Sequence, residues 1–355
     1  MSDVEKNIGT HKPEFDGEWV RLTELCKPKQ WKTIPKASLK QDGYPVYGAN
    51  GVIGYSDSYN HESETILVGC RGTCGQINVC RPRSYVTGNA MCLDELSEDV
   101  DLRYLEQFLR AFDFKAIISG SSQPQITRQG LSKVLVPVRP LDEQRTIADN
   151  LGKLSQLENL CERQLSAFDD LVKSQFVEMF GDPVEIIDAT PLGSIALLKA
   201  GNATTAASIS ETDADGLYPC YGGNGLRGYA AEFTHEGVFP LIGRQGAQCG
   251  NVKLASGKFR ATEHAVVVQP TIEIDSIWLF HYLRYDDLGR LATGAAQPGL
   301  SVKNLNQTPV SIPPIALQQQ FADFVARVDK LGFDVQQQIE KLETLKQSLM
   351  QEYFG

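Results

Sequence analysis

Two stretches of this chain place apolar residues at alternating spacings of three and four. In the first, Ile147, Leu151, Leu154, Glu158, Cys161, Leu165, Phe168, Val172, Gln175 and Met179 fall on one seam, with eight of the ten apolar. In the second, Phe321, Val325, Val328, Gly332, Val335, Ile339, Leu342, Lys346, Leu349 and Tyr353 repeat the pattern, again with eight apolar in ten. Such a spacing held beyond four heptads predicts coiled-coil helices rather than surface helices. Pro140 suits the start of the first helix, and Gly181-Asp182-Pro183 supplies a stop. Each helix would run roughly 55–60 Å. Matched lengths and seams predict antiparallel pairing of the two. Elsewhere the pattern is short β-type runs, such as Thr65–Val68, Gln76–Val79 and Lys133–Val138, among Gly, Pro and Asn. Short amphipathic helices are expected over Leu102–Phe112 and Ile277–Tyr285.

An internal repeat organises these parts. YPVYGANGVIGY (44–55) and YPCYGGNGLRGY (218–229) share eight identities in twelve at an offset of 174. The same offset pairs His61 with His235, Gln123-Pro124 with Gln297-Pro298, Gln144 with Gln318, and Phe180-Gly181 with Phe354-Gly355. The expected fold class is therefore α+β: two similar globular domains, 1–140 and 184–314, with long helices at 141–183 and 315–355 pairing as a coiled coil about a pseudo-two-fold axis.

Composition narrows the class. At 355 residues, 42% hydrophobic and 22% charged, the chain has the make-up of a folded, water-soluble protein. No apolar run approaches the ~18 residues of a membrane span, and the first residues lack a signal core. Eight cysteines at irregular spacings read as reduced thiols of the cytoplasm. Phosphate-loop, HExxH and GxSxG motifs are missing. The Asn50-Gly51 and Asn224-Gly225 pairs read as hairpin turns. Cys70, Cys74, Cys80 and Cys92 invite a zinc reading, but the first two align with Arg244 and Gln248, so no metal is expected. His61 and His235 each precede a Glu, without a recurring third partner that acid–base work would need.

The net charge of −10 argues against a simple nucleic-acid-coating protein. Its distribution answers that objection. The helices carry −5 and −2, leaving the globular parts near neutral. Lys27, Lys29, Lys32, Lys36 and Lys40 lie within fourteen residues free of acid, beside Trp31, a footprint suited to phosphate contacts. GCRGTCGQ (69–76) and GRQGAQCGN (243–251) set Arg and Gln, the readers of guanine and adenine edges, in glycine-rich loops. SGSSQPQIT (119–127) and TGAAQPGLS (293–301) form a second pair. Positions that differ between matching loops are the candidate base readers: Cys70 against Arg244, Arg71 against Gln245, Asn89 against His264. The candidate DNA contacts are Lys27, Lys29, Lys32, Lys36, Arg71, Thr73, Gln76, Asn89, Ser121, Gln123, Arg244, Gln245, Gln248, His264, Gln297 and Lys303. Helix pairing is assigned to Ile147, Leu151, Leu154, Leu165, Phe168 and Val172 with Phe321, Val325, Val328, Val335, Ile339, Leu342 and Leu349.

This order of domain, helix, domain, helix resembles the specificity (S) subunit of type I restriction–modification systems. The likeness is carried by YPVYGANGVIGY, ILVGCRGTCG, SGSSQPQI and VPVRPLDEQ leading into a helix that ends in FG, and the series occurs twice. It implies target recognition domains that each read half of a split, asymmetric double-stranded DNA site, with helices that set the spacer and dock two modification subunits. It also implies no catalysis and no cofactor in this chain. S-adenosylmethionine would belong to the modification subunits, and ATP and Mg to partner subunits that include the restriction subunits. The second copy departs from the pattern at IPPIALQQQ, where a Glu usually precedes the Gln, and Gly332 and Lys346 interrupt its seam. A self-contained enzyme is disfavoured, because the chain lacks an NPP[YFW] motif and a nuclease constellation. A coiled-coil adaptor that never touches DNA is the alternative.

Overall fold

The computed structural model describes residues 17–120, 123–186, 189–246, 248–294 and 299–355. The chain divides into two compact units, one of residues up to Glu162 with Gln337–Gly355, the other Arg163–Gln336. Each combines one globular part with a length of both long helices, α4 (Leu141–Phe180) and α8 (Ile315–Phe354). No helix among the described residues is long and apolar enough to cross a membrane.

The first unit contains β1 (Glu18–Arg21), α1 (Leu22–Leu25), β2 (Lys27–Gln30), β3 (Tyr44–Gly48), β4 (Gly51–Ser56), β5 (Thr65–Gly69), β6 (Ile77–Cys80), β7 (Tyr85–Val86), β8 (Ala90–Asp94), α2 (Leu102–Ala111), β9 (Ile118–Ser119), β10 (Gln125–Ile126), α3 (Arg128–Leu131) and β11 (Leu135–Val138). One sheet runs β2-β8-β5-β6 and another β4-β3-β7. The second unit contains β12 (Thr190–Pro191), α5 (Leu192–Ile195), β13 (Ala196–Ala200), β14 (Tyr218–Gly222), β15 (Gly225–Ala230), β16 (His235–Gly243), β17 (Val252–Ala261), β18 (Ala265–Pro270), α6 (Ser276–Tyr285), α7 (Val302–Asn306) and β19 (Pro309–Val310). Its strands follow the same order in one sheet, β13-β18-β16-β17-β14-β15. The break in the first copy has a local cause. Pro82 lacks an amide donor and Arg83 turns with φ 58°, so β6 and β7 stay separate where β17 runs through.

The long helices are fastened into the cores. Ile147, Ala148 and Leu151 are buried in the first core with Tyr104, Leu105, Phe108 and Phe354. In the second, Val172 and Phe176 lie with Phe321, Val325 and Val328, and the Phe176 and Phe321 rings are 5.3 Å apart. One buried glutamine bolts each helix start. Gln144 Nε2 donates to Asp99 O and Arg139 O, and its Oε1 accepts from Asp101 N at 2.8 Å. Gln318 Oε1 likewise accepts from Asp275 N at 2.8 Å, and its Nε2 donates to Pro313 O. Asp101 and Asp275 in turn cap α2 and α6 through their carboxylates. Within the first unit Glu158 and Lys346, the polar interruptions of their seams, meet at 2.6 Å. Val335 and Ile339 are buried, and Leu154 is 8% exposed. Leu165, Phe168, Leu342 and Leu349 are half-buried.

His281 on α6 is 4% exposed. Burial first, and Arg284 second, push its imidazole down to about 3. The unfolded chain protonates it near the ordinary value of about 6.5. Its neutral burial therefore favours folding above that pH, and stability is lost as the pH falls toward the folded value. The slope reaches about 1.4 kcal/mol per pH unit for one proton. The equivalent residue of the first copy is Gln107, so His281→Gln should flatten the acid limb of stability of the second unit. Urea unfolding of the full chain at a series of mildly acidic pH values measures it; an unchanged limb would assign the acid sensitivity elsewhere.

Candidate nucleic-acid interface

Glycines bring four segments of each unit together. In the first, the loop 69–76 closes through Gly69 N donating to Gln76 O at 2.8 Å and Gly75 N to Gly69 O at 2.9 Å. A Cβ on Gly69 would stand 2.3 Å from Thr73 O and 3.1 Å from Ala49 O, in the β3–β4 turn. Only a residue without a side chain fits there. Cys70 N donates to Asn89 O at 3.0 Å, and Thr87 N to Tyr47 O at 2.9 Å. The segment 123–126 joins through Ile126 N to Cys70 O at 3.1 Å and a bridge of Arg71 to Gln125.

The second unit repeats the arrangement with different side chains. Gly243 N donates to Asn251 O and Gly250 N to Gly243 O, both at 2.8 Å. A Cβ on Gly243 would lie 2.2 Å from Gly223 O in the β14–β15 turn. Arg244 N donates to His264 O at 3.1 Å, Thr262 N to Tyr221 O at 2.9 Å, and Leu300 N to Arg244 O at 2.8 Å. Gly222–Arg227, Gln245, Gln248 and His264 line an open concavity of about 470 Å³. His264 Nδ1 lies 2.8 Å from Gln245 Oε1, so the imidazole donates and the amide NH2 of Gln245 is left for a ligand. The half-buried Arg244 has a buried Nε without a hydrogen-bond partner among the described residues. A guanidinium desolvated in this way is costly unless a ligand pairs with it.

A basic strip abuts the first cluster. Gln30 Nε2 donates to Gly88 O at 2.9 Å, and a Cβ on Gly88 would meet Trp31 O at 2.8 Å. Lys29 Nζ sits 3.6 Å from the Trp31 ring centroid, a cation–π contact. Trp31 Nε1 donates to Asp94 Oδ2 at 3.0 Å, and His61 Nε2 lies 3.0 Å from Asp94 Oδ1. Asn60 holds the other side of His61 at 2.7 Å while binding Val86 N and O. Among the described residues His61, Cys92 and Asp94 gather ligand atoms within 4.8 Å. Both ring nitrogens of His61 and both oxygens of Asp94 are already hydrogen-bonded, to each other, Asn60 and Trp31, and burial, with Asp94 beside it, raises the Cys92 thiol. In the second copy Val267 and Gln269 stand at the Cys92 and Asp94 positions. The His61–Asp94–Trp31 hydrogen bonds make the set a strut for the strip.

The structure thus gathers Arg71, Thr73, Gln76, Asn89 and Gln123 in one cluster, and Arg244, Gln245, Gln248 and His264 in the other. Lys32 and Lys36 are exposed, whereas Lys27 is paired with Glu95. Lys303 lies exposed on α7, capped by Ser301, outside these contacts. Ser121 and Gln297 lie outside the described residues. Sequence reasoning missed the β3–β4 and β14–β15 turns as walls of the clusters. Their signal was present, since the residues after each Asn-Gly differ between copies while the glycines repeat.

Fold and clusters together define a tandem-repeat protein with two equivalent loop clusters of different lining. The family model described as the type I restriction modification DNA specificity domain matches residues 16–167 and again 188–344. The chain belongs to this family. It is similar to the type I restriction enzyme EcoprrI specificity subunit of Escherichia coli, with 46% identity over 143 residues, or 39% of this chain and 35% of that protein. The match therefore spans about a third of that relative's length. The S subunit structure of the type I system of M. genitalium superposes with a TM-score of 0.65 at 18% identity, covering 97% of this chain and 99% of that one. A chain from a structure on complex assembly and conformational transition of the type I R-M system gives 0.58 at 17%, covering 97% and 99%. These likenesses concern the fold.

Gly243 and Gly222 give a paired test of the cluster. Gly222→Ala places its Cβ no closer than 3.7 Å to Arg227 Cδ and should leave unfolding unchanged. Gly243→Ala forces the loop off the turn and should cost about 1–3 kcal/mol. Thermal unfolding compares them; equal midpoints would mean that the close approach is not needed.

Proposed function

We propose that this chain is the non-catalytic recognition subunit of a type I restriction–modification complex, each loop cluster reading one half of a split, asymmetric double-stranded DNA site. One observation carries the reading: the same hydrogen-bonded scaffold presents Arg71 and Asn89 in one copy and Gln245 and His264 in the other. A duplicated fold with unlike readers suits unlike half-sites. The recognition domains are 1–140 and 184–314. The spacer helices, 141–183 and 315–355, pair antiparallel as a coiled coil. Buried seam residues and the Glu158–Lys346 contact support that pairing.

Two modification subunits dock on this chain, and restriction subunits complete the complex. Exposed leucines support paired docking. Leu157 and Leu331 are 48% and 52% exposed, Leu171 and Leu345 both 47%, and each pair is one repeat apart. Each unit therefore offers a similar apolar surface to a copy of one partner. S-adenosylmethionine serves the modification subunits, and ATP and Mg serve the partner subunits that cleave. The setting is the cytoplasm, where the eight free cysteines stay reduced.

The test is a genome-wide map of methylated adenines in cells whose only specificity subunit is this chain. Arg71→Ala and Gln245→Ala should each relax one half-site and spare the other, losing about 1–3 kcal/mol of discrimination per bidentate contact. Undiminished selectivity in both variants would refute the loop assignment. A purified complex without salt-dependent binding to the mapped duplex would favour the adaptor alternative. A separate variant tests the spacer. Four residues inserted into each long helix add roughly 6 Å, close to about two base pairs of gap. An active variant with an unchanged gap would show that the helices do not set the spacing.

A further inference from the structure

The hairpins beside the loop clusters hold a feature that their sequence alternation conceals. In β3–β4, Val46 pairs with Gly54 but Tyr47 pairs with Val52, leaving Ile53 as an extra, bulged residue. In β14–β15, Cys220 pairs with Gly228 and Tyr221 with Leu226, leaving Arg227 bulged at the same place. Gly54 and Gly228, with φ 153° and 146°, follow the bulge in both copies. A bulge breaks the in–out alternation of a strand and re-aims a side chain. The effect is visible here: Val52 and Ile53 are 51% and 46% exposed, Leu226 is 55% exposed, and Arg227 is exposed beside it.

The bulged side chains lie toward the turn, not away from it. Ile53 Cγ2 is 3.1 Å from where a Gly48 Cβ would stand, and Arg227 Cδ is 3.7 Å from the Gly222 equivalent. Arg227 has no carboxylate partner among the described residues and shares the concavity wall with Gln245, Gln248 and His264. One backbone device thus presents an apolar group in the first copy and a guanidinium in the second.

We propose that the bulged hairpin residue is a further base-contacting position in each domain. Ile53 meets the methyl group of a thymine in one half-site, and Arg227 takes the edge of a guanine in the other. This inference rests on the DNA reading above. Its chemistry is that of major-groove readout, in which apolar side chains touch the thymine methyl and Arg pairs with guanine O6 and N7.

The experiment uses the full chain co-expressed with its modification subunits, with methylation mapping followed by binding to the mapped duplex. Arg227→Ile and Arg227→Lys should both reduce discrimination at a single guanine, by about tenfold to a hundredfold, and spare the other half-site. Uracil in place of the contacted thymine should weaken binding several-fold in the parental complex and make no difference after Ile53→Ser. All three changes are at exposed positions, and matching thermal midpoints verify folding. If Arg227→Lys behaves as the parent while Arg227→Ile weakens every duplex evenly with a shallower salt dependence, Arg227 holds phosphate and the proposal is wrong. Unchanged maps and affinities in every variant, or loss of modification-subunit binding instead of discrimination, would also overturn it. In those cases the parental complex still recognises its site and the DNA reading stands. A parental complex without any sequence-specific binding would remove the DNA reading itself.

Discussion

Each hydrophobic core is closed by helix ends that approach from opposite directions of the sequence. In the first unit Ile147 and Leu151 enter from α4, and Phe354 enters from α8. Phe354 packs at 5.6 Å from both Tyr104 and Phe108. Full burial of one such side chain is worth about 1.5–3 kcal/mol, so three of them bind helix to domain more firmly than a surface contact would. Gln144 and Gln318 add direction to that attachment. Each fills its amide with backbone partners from the segment before its helix and from the cap of α2 or α6. The core and the adjoining helix turns are therefore joined by packing and by hydrogen bonds within a unit.

On this base the two copies diverge where divergence costs little. The backbone hydrogen bonds that assemble the four segments are matched one for one, because they need only amides, carbonyls and the space a glycine leaves. Side chains at Arg71, Asn89, Gln245 and His264 project from that frame and carry none of it. Even the broken strand at Pro82 leaves the strand order intact. Support differs beneath the frame: the first copy props its lysine strip on Asp94 and His61, while the second holds His235 against Phe259, the rings 5.3 Å apart. Burial lowers the proton affinity of His235, consistent with a neutral ring in an apolar stack.

Much of this was legible beforehand, for reasons that particular residues explain. The long helices were visible because a seam held over ten positions overrides local propensity; both start at the expected residue, while α4 stops at Phe180, three residues short of the expected 183, where Gly181 and Pro183 end it. Repetition marked the paired glycine-rich loops and the Gln-Pro loops as candidate segments, but not the β3–β4 and β14–β15 turns that wall them. Pairings across long separations were not visible. Glu158 and Lys346 read as two defects in separate seams, yet they answer each other across 188 residues. Asp94 gave no sign of joining Trp31 to His61, since neither spacing nor residue type announces a strut. The bulges at Ile53 and Arg227 hide inside an unremarkable alternation, because an extra residue in one strand is defined only by the register of its partner.

The division of the chain also sets an order of events during synthesis. The second unit is one unbroken stretch, Arg163–Gln336, whereas the first requires Gln337–Gly355. A nascent chain therefore owns every residue of its second unit before it owns those of its first. Until synthesis reaches Phe354, Tyr104 and Phe108 lack the ring that covers them, and the earliest-made half waits with an apolar face exposed. Long-range closure of this kind is slow, and exposed apolar surface in the interval invites aggregation. The half of the molecule made first is the half that finishes last.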